Sequence, residues 1–75
     1  MKELVLEIAK ALVDNPEAVI VEEVRHNEEI TLKLKVSQDD MGKVIGKQGR
    51  IAKSIRTVVK AVANKENVKV SLDIV

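Results

Sequence analysis

Val44-Ile45-Gly46-Lys47-Gln48-Gly49 runs directly into Arg50-Ile51-Ala52-Lys53-Ser54-Ile55-Arg56, and the join between these two stretches organises the reading of the whole chain. Two glycines frame two long polar side chains, so the backbone can turn sharply there and come close to a ligand. The stretch from Arg50 onward has helical spacing, yet its first turn holds no Ser, Thr, Asp or Asn to take up the open amides. Those donors need a partner. A helix start carries partial positive charge, and Lys47, Arg50 and Lys53 add full charges around it, so the corner suits an anion such as a phosphate.

Downstream of the corner, Ile51, Ile55, Val58, Val59 and Val62 turn toward a core until about Asn64, and Val68-Lys69-Val70-Ser71-Leu72-Asp73-Ile74 then alternates as a half-buried strand does. Upstream, Ser37-Gln38-Asp39-Asp40 reads as a helix start, with Ser37 as cap and Asp40 three positions on, opening a brief helix to about Ile45. Before it, Ile30 to Val36 sets four aliphatics on one face against Thr31, Lys33 and Lys35 on the other. His26-Asn27-Glu28 is a turn, and Val19 to Arg25 is a second short strand, paired antiparallel with the next. The first pattern, Leu4, Val5, Ile8, Ala9, Leu12 and Val13, is an amphipathic helix over about residues 2 to 14, stopped by Asp14-Asn15-Pro16.

The order is helix, strand, strand, helix, glycine loop, helix, strand. Each element has one apolar side, so the expected fold class is α+β: a two-layer sandwich of a three-stranded sheet with its helices on one face. Residues 1–75 make one domain on this reading, and a chain this short hides only about 60% of its unfolded surface, which leaves a role for a partner subunit.

Composition removes several functions. With no cysteine there is no disulfide, thiolate nucleophile or cysteine metal site, which fits a reducing cytoplasm. Acids interrupt the N-terminal residues where a signal peptide needs an apolar run, and no segment approaches the roughly 20 apolar residues of a membrane span, so a soluble, unprocessed protein is expected. The net charge of +1 is uninformative, but its distribution is not: Lys43, Lys47, Arg50, Lys53, Arg56 and Lys60 lie in a stretch without a single acid. The chain also has no Phe, Tyr or Trp, so it lacks the rings on which RNA-recognition motifs and most OB-folds stack bases.

The sequence Ile45-Gly46-Lys47-Gln48-Gly49 between two helices resembles the KH family of single-stranded nucleic-acid-binding domains, whose I-G-x-x-G loop clamps about four backbone nucleotides. The order of elements matches the type II KH arrangement over essentially the full chain, and within that group the chain is similar to the KhpA family of minimal single-KH bacterial proteins. It departs from the commoner pattern three positions after the second glycine, where Ala52 replaces a larger aliphatic and Ile51 precedes it. The resemblance implies a single-stranded RNA site at Lys43, Val44, Ile45, Gly46, Lys47, Gln48, Gly49, Arg50, Ile51 and Lys53. Amides of the loop and of Arg50 and Ile51 hold phosphate on this reading, the cations supply charge, and bases lie on Val44, Ile45 and Ile55 in a groove bounded by the second strand. It further implies a cytoplasmic RNA chaperone or post-transcriptional regulator, working as a homodimer or with a KhpB (Jag)-like protein in cell elongation and division, with no cofactor. Thr57, Val58 and Ala61 on the third helix are the candidate pairing strip.

Other chemistries fare worse. Gly42-Lys43-Val44-Ile45-Gly46-Lys47-Gln48 fails as a nucleotide-binding P-loop, having three residues between its glycines instead of four and Gln48 where magnesium needs a hydroxyl. The lone histidine, His26, has no second imidazole or thiol with which to hold zinc, and the acids Glu22, Glu23, Glu28 and Glu29 read as solubilising charge, so no catalytic or metal site is expected. Gly42 and Gly46 share a spacing that reads as close helix packing or simple tolerance. The alternative function is a protein-pairing module that keeps a KH frame without using RNA.

Overall fold

A computed structural model describes residues 1–75. Helix α1 spans Lys2–Leu12 and buries Val5 and Ala9. It stops earlier than residue 14 because Val13 is already extended, and Pro16–Ala18 form a single 3-10 turn. Strands β1 (Ile20–His26) and β2 (Glu29–Lys35) are antiparallel and joined by a two-residue turn, in which Asn27 takes the left-handed conformation that Asn tolerates. Helix α2 (Met41–Ile45) and helix α3 (Arg50–Lys65) follow, and strand β3 (Lys69–Ile74) returns parallel to β2. Val68 donates its N–H to Ala63 O at 3.0 Å while Asn67 sits left-handed, so α3 ends on a Schellman motif built around an asparagine.

The order across the sheet is β1-β2-β3, making β2 central. Its alternating face supplies the heart of the core: Leu32 and Leu34 have no exposed surface, and Val5, Val44 and Val59 close over them from the three helices. The expected α+β sandwich with a three-stranded sheet is therefore the fold observed, with one parallel and one antiparallel pairing. The opposite face of the sheet carries rows of balanced charge. Glu22 lies across from Lys33, which lies across from Asp73, and Glu29 lies across from Lys69. That face offers a nucleic acid a single imidazole, His26, and no excess of positive charge.

Two packing expectations need correction. The face that α3 buries consists of Ala52, Ile55, Val59 and Ala63, whereas Val58 is 44% exposed. Counting only large aliphatics rotates the expected face, since the alanines let α3 sit close to the sheet. Ser37 precedes a 3-10 turn (Gln38–Asp40) but makes no side-chain cap bond, and Asp40, instead of reaching back to it, is turned inward and buried.

Candidate nucleic-acid interface

The corner between α2 and α3 is a 3-10 turn, Lys47–Gly49, preceded by Gly46 and closed by Gly49, both at positive φ. At Gly46, with φ of +76°, a Cβ would lie 2.6 Å from the Ile51 Cγ1 atom. The position therefore excludes a side chain twice over, by backbone conformation and by the isoleucine tucked beneath it. This accounts for Ile51 preceding Ala52: Ile51 is half-buried under the turn, while Ala52 is buried on the core side. Gln48 also adopts a left-handed conformation, with φ of 58°.

Donors at this corner divide into two groups. Gly49 N–H donates to Gly46 O at 3.2 Å, and Arg50 N–H donates to Lys47 O. Contrary to expectation, Arg50's amide is thus held inside the turn. As the first two residues of the turn, Lys47 and Gln48 have no acceptor for their N–H groups within it, and no side chain caps α3. Lys47, Arg50 and Lys53 are exposed and enter none of the ion pairs in the chain. Two amides without a partner in the turn and three cations without an ion pair share one bend.

Lys43 lies differently. Its ammonium is ion-paired with Asp14 and stands 3.4 Å from Asp40 Oδ1. Asp40 in turn accepts the backbone N–H groups of Asp14 at 3.2 Å and Asn15 at 3.0 Å. Burial alone would push the Asp40 carboxyl up, but those two amides and Lys43 together hold it below its ordinary value of 3.8. The Lys43 ammonium is raised above 10.5, chiefly by its hydrogen bond to Asp14 and further by Asp40, against the opposing effect of burial. Its charge is answered within the chain.

The apolar candidates also separate. Val44 has no exposed surface and Ile55 only 4%, so both are core and neither can meet a base without unpacking the domain. Ile45 and Ile51 are half-buried and remain accessible. The groove wall needs correction as well: β2 is bonded to a strand on either side, and the open edge next to α3 belongs to β3. Lys69 N–H and Val75 N–H both point to β2, at 3.0 Å from Glu28 O and 2.9 Å from Leu34 O. By strand alternation, the backbone groups of Val70 and Leu72 point outward, and Leu72 O accepts the Arg56 Nε–H at 3.2 Å. A depression of about 210 Å³ lies along that edge between Arg56, Lys60, Val70 and Leu72.

Comparison with known proteins decides the family. The sequence model described as "KhpA/KhpB, KH domain" matches residues 2–74. The chain belongs to the KhpA/KhpB family of KH domains. An RNA-binding protein KhpA of Clostridium perfringens is 69% identical over 75 residues, covering all of both chains. The RNA-binding protein KhpA of Caldanaerobacter subterraneus is 60% identical over the full length of both. One from Listeria monocytogenes is 53% identical across all of this chain and 99% of its own. No solved structure matches. No helix is long and apolar enough to cross a membrane, and no group of three metal-ligating side chains comes together.

Proposed function

We propose that this chain binds single-stranded RNA, gripping the sugar-phosphate backbone at the Lys47–Gly49 turn and laying the adjoining bases along Ile45, Ile51 and the open edge of β3. The observation that carries this is the group of three unpaired cations, Lys47, Arg50 and Lys53, around a glycine turn whose first two amides, at Lys47 and Gln48, have no partner within the turn. Hydrogen bonds to phosphate fix position without reading sequence, while the strand edge at Val70 and Leu72 meets base edges. The names of the KhpA relatives support RNA as the ligand. Two or three neutralised phosphates give a logarithmic salt slope of about −1.5 to −2 for a single strand, so one module binds weakly.

Weak single sites favour pairing, because two linked sites on one RNA raise avidity without any new contact. Exposed Thr57, Val58 and Ala61 form the surface we assign to a second KH module, a copy of this chain or a KhpB (Jag)-like partner. In that role the protein is a cytoplasmic RNA chaperone or post-transcriptional regulator acting in cell elongation and division. A Val58→Arg variant is expected to sediment as a monomer at concentrations where the parent pairs, with its fold intact.

The decisive test is Lys47→Asp together with Gln48→Asp. Neither side chain is buried, so thermal unfolding should be nearly unchanged, while two negative charges facing the phosphate abolish binding to short oligoribonucleotides. RNA affinity that survives both substitutions would overturn the reading and leave the protein-pairing module in its place.

A further inference from the structure

The largest cavity in the molecule, about 790 Å³, does not belong to the corner. It opens at the far end of α3, between the β1–β2 turn and the α3–β3 turn, and its walls carry Asn27, Glu28 and Glu29 on one side and Asn64, Asn67 and Lys69 on the other. The bond from Lys69 N–H to Glu28 O, at 3.0 Å, ties the two turns together and gives the cleft a fixed base. No side-chain hydrogen bond or ion pair of the chain involves any of these six residues. Left-handed turns account for an asparagine at 27 and at 67, but nothing in the fold asks for one at 64, inside the last turn of α3.

The cleft is continuous with the groove along β3. A shallow depression lined by Lys60, Asn64, Lys69 and Val70 joins it to the one beside Arg56 and Leu72. From Arg50 to Asn64 the helix rises about 21 Å, so a lane leads from the phosphate corner past Arg56 and Lys60 to the cleft. The chemistry changes at its end. Two carboxylates face one ammonium there, which repels phosphate, whereas carboxylate and amide oxygens accept hydrogen bonds from the amino and imino groups of a base.

We infer that this cleft takes a guanine from the same RNA strand, two or so nucleotides beyond those gripped at the corner. Guanine presents N1–H and N2–H side by side, which a Glu28 or Glu29 carboxylate accepts as a pair, and its O6 accepts from an asparagine amide. Uracil has a single ring N–H between two acceptors and loses that pairing. The inference rests on the proposed RNA binding and gives an otherwise sequence-tolerant grip its preference.

The test compares hexauridylate with hexamers carrying one guanine at the 5′ or the 3′ end, two residues longer than the roughly four that a KH loop clamps. One guanine-bearing hexamer is expected to bind about tenfold more tightly than hexauridylate, and only it should move the side-chain amide NMR signals of Asn64 and Asn67. Glu28→Gln with Glu29→Gln should abolish that preference while leaving affinity for tetrauridylate unchanged. If the guanine hexamers shift the Lys47 and Gln48 amides but gain no affinity, or keep their gain in the double variant, the cleft assignment is overturned and the corner stands. If no oligomer moves the corner signals, the RNA reading and this inference fall together.

Discussion

The two ends of α2 use the same chemistry to opposite effect. At its start, Asp40 is buried and matched: it accepts two backbone amides from the α1–β1 connection and stands beside Lys43, which is itself paired with Asp14. At its end, the Lys47–Gly49 turn and the start of α3 hold three cations, Lys47, Arg50 and Lys53, without ion-pair partners. Six residues, Met41 to Gly46, separate Asp40 in a knot that holds the fold from a corner open to a ligand. Charge density along the sequence cannot tell these apart, since Lys43 and Lys47 look alike there. What distinguishes them is whether an acid has been brought across from elsewhere in the chain.

The largest effect is expected where the corner depends on shape. Gly46→Ala sets a Cβ 2.6 Å from Ile51 Cγ1 in a left-handed conformation. Left-handed strain and overpacking together should destabilise the fold by about 2–4 kcal/mol, read from chemical denaturation. A loss below about 1 kcal/mol would mean that Ile51 can move away, and that the turn is less firmly built than the knot.

At the other end, Asp40→Asn keeps the shape but removes the charge that two amides and an ammonium address, and the thermal midpoint at neutral pH should fall by several degrees. The pH dependence has a definite sign. Because the folded carboxyl titrates below 3.8, its contribution is fully present above that value and disappears as pH falls through the lowered folded value. Lys43, raised above 10.5, contributes below 10.5 and ceases to do so as pH climbs through its folded value. Acid unfolding of the Asn variant should lose the part of its slope that lies below 3.8. RNA affinity of the folded variant should match the parent.

Much of this architecture is legible in the sequence. Strict alternation from Ile30 to Val36 and from Lys69 to Ile74 announces β2 and β3, because each strand shows one face to the core and one to water. The corner is legible because two glycines and an uncapped, acid-free helix start are local features. What escapes is set by long-range contact. Asp40 looks like half of a capping box, and only the approach of Asp14 and Asn15, 26 and 25 residues away, shows that it is a clasp. Lys43 reads as one more free cation for the same reason. Val44 and Ile55 read as a floor for the bases because aliphatic spacing shows which residues share a face, not which of them are covered. The wall of the groove falls to the second strand on sequence grounds because sheet order cannot be read along a chain, and a parallel return puts β3 on the open edge.

Removing one cation from either end of α2 should have a smaller effect. Lys47→Met should weaken RNA binding and reduce the magnitude of the salt slope by about 0.7, the value for one phosphate contact on a single strand. Lys43→Met should leave the slope unaltered and instead lower the thermal midpoint, by less than Asp40→Asn does, since its side chain is 42% exposed. Equal changes in slope would show that Lys43 exchanges its carboxylates for phosphate when RNA arrives.

The smallest effect concerns Gly42, in the middle of α2. A Cβ there would meet nothing within 4 Å, and its φ is not left-handed, so neither packing nor conformation within the chain calls for glycine. Gly42→Ala should therefore stabilise the protein by about 0.5–1 kcal/mol, mainly by restricting the unfolded chain. Gly42 lies four residues before Gly46, on the side of α2 that leads into the turn, and its N-terminal neighbours are held by the Asp40 knot. On the proposed mode of binding, a strand gripped at Lys47 and Gln48 would pass near this bare patch, where an added methyl group would take up room. We expect the more stable variant to bind short oligoribonucleotides several-fold more weakly in titration. Unchanged affinity would confine the contact to the turn itself and make Gly42 a residue that the fold merely tolerates.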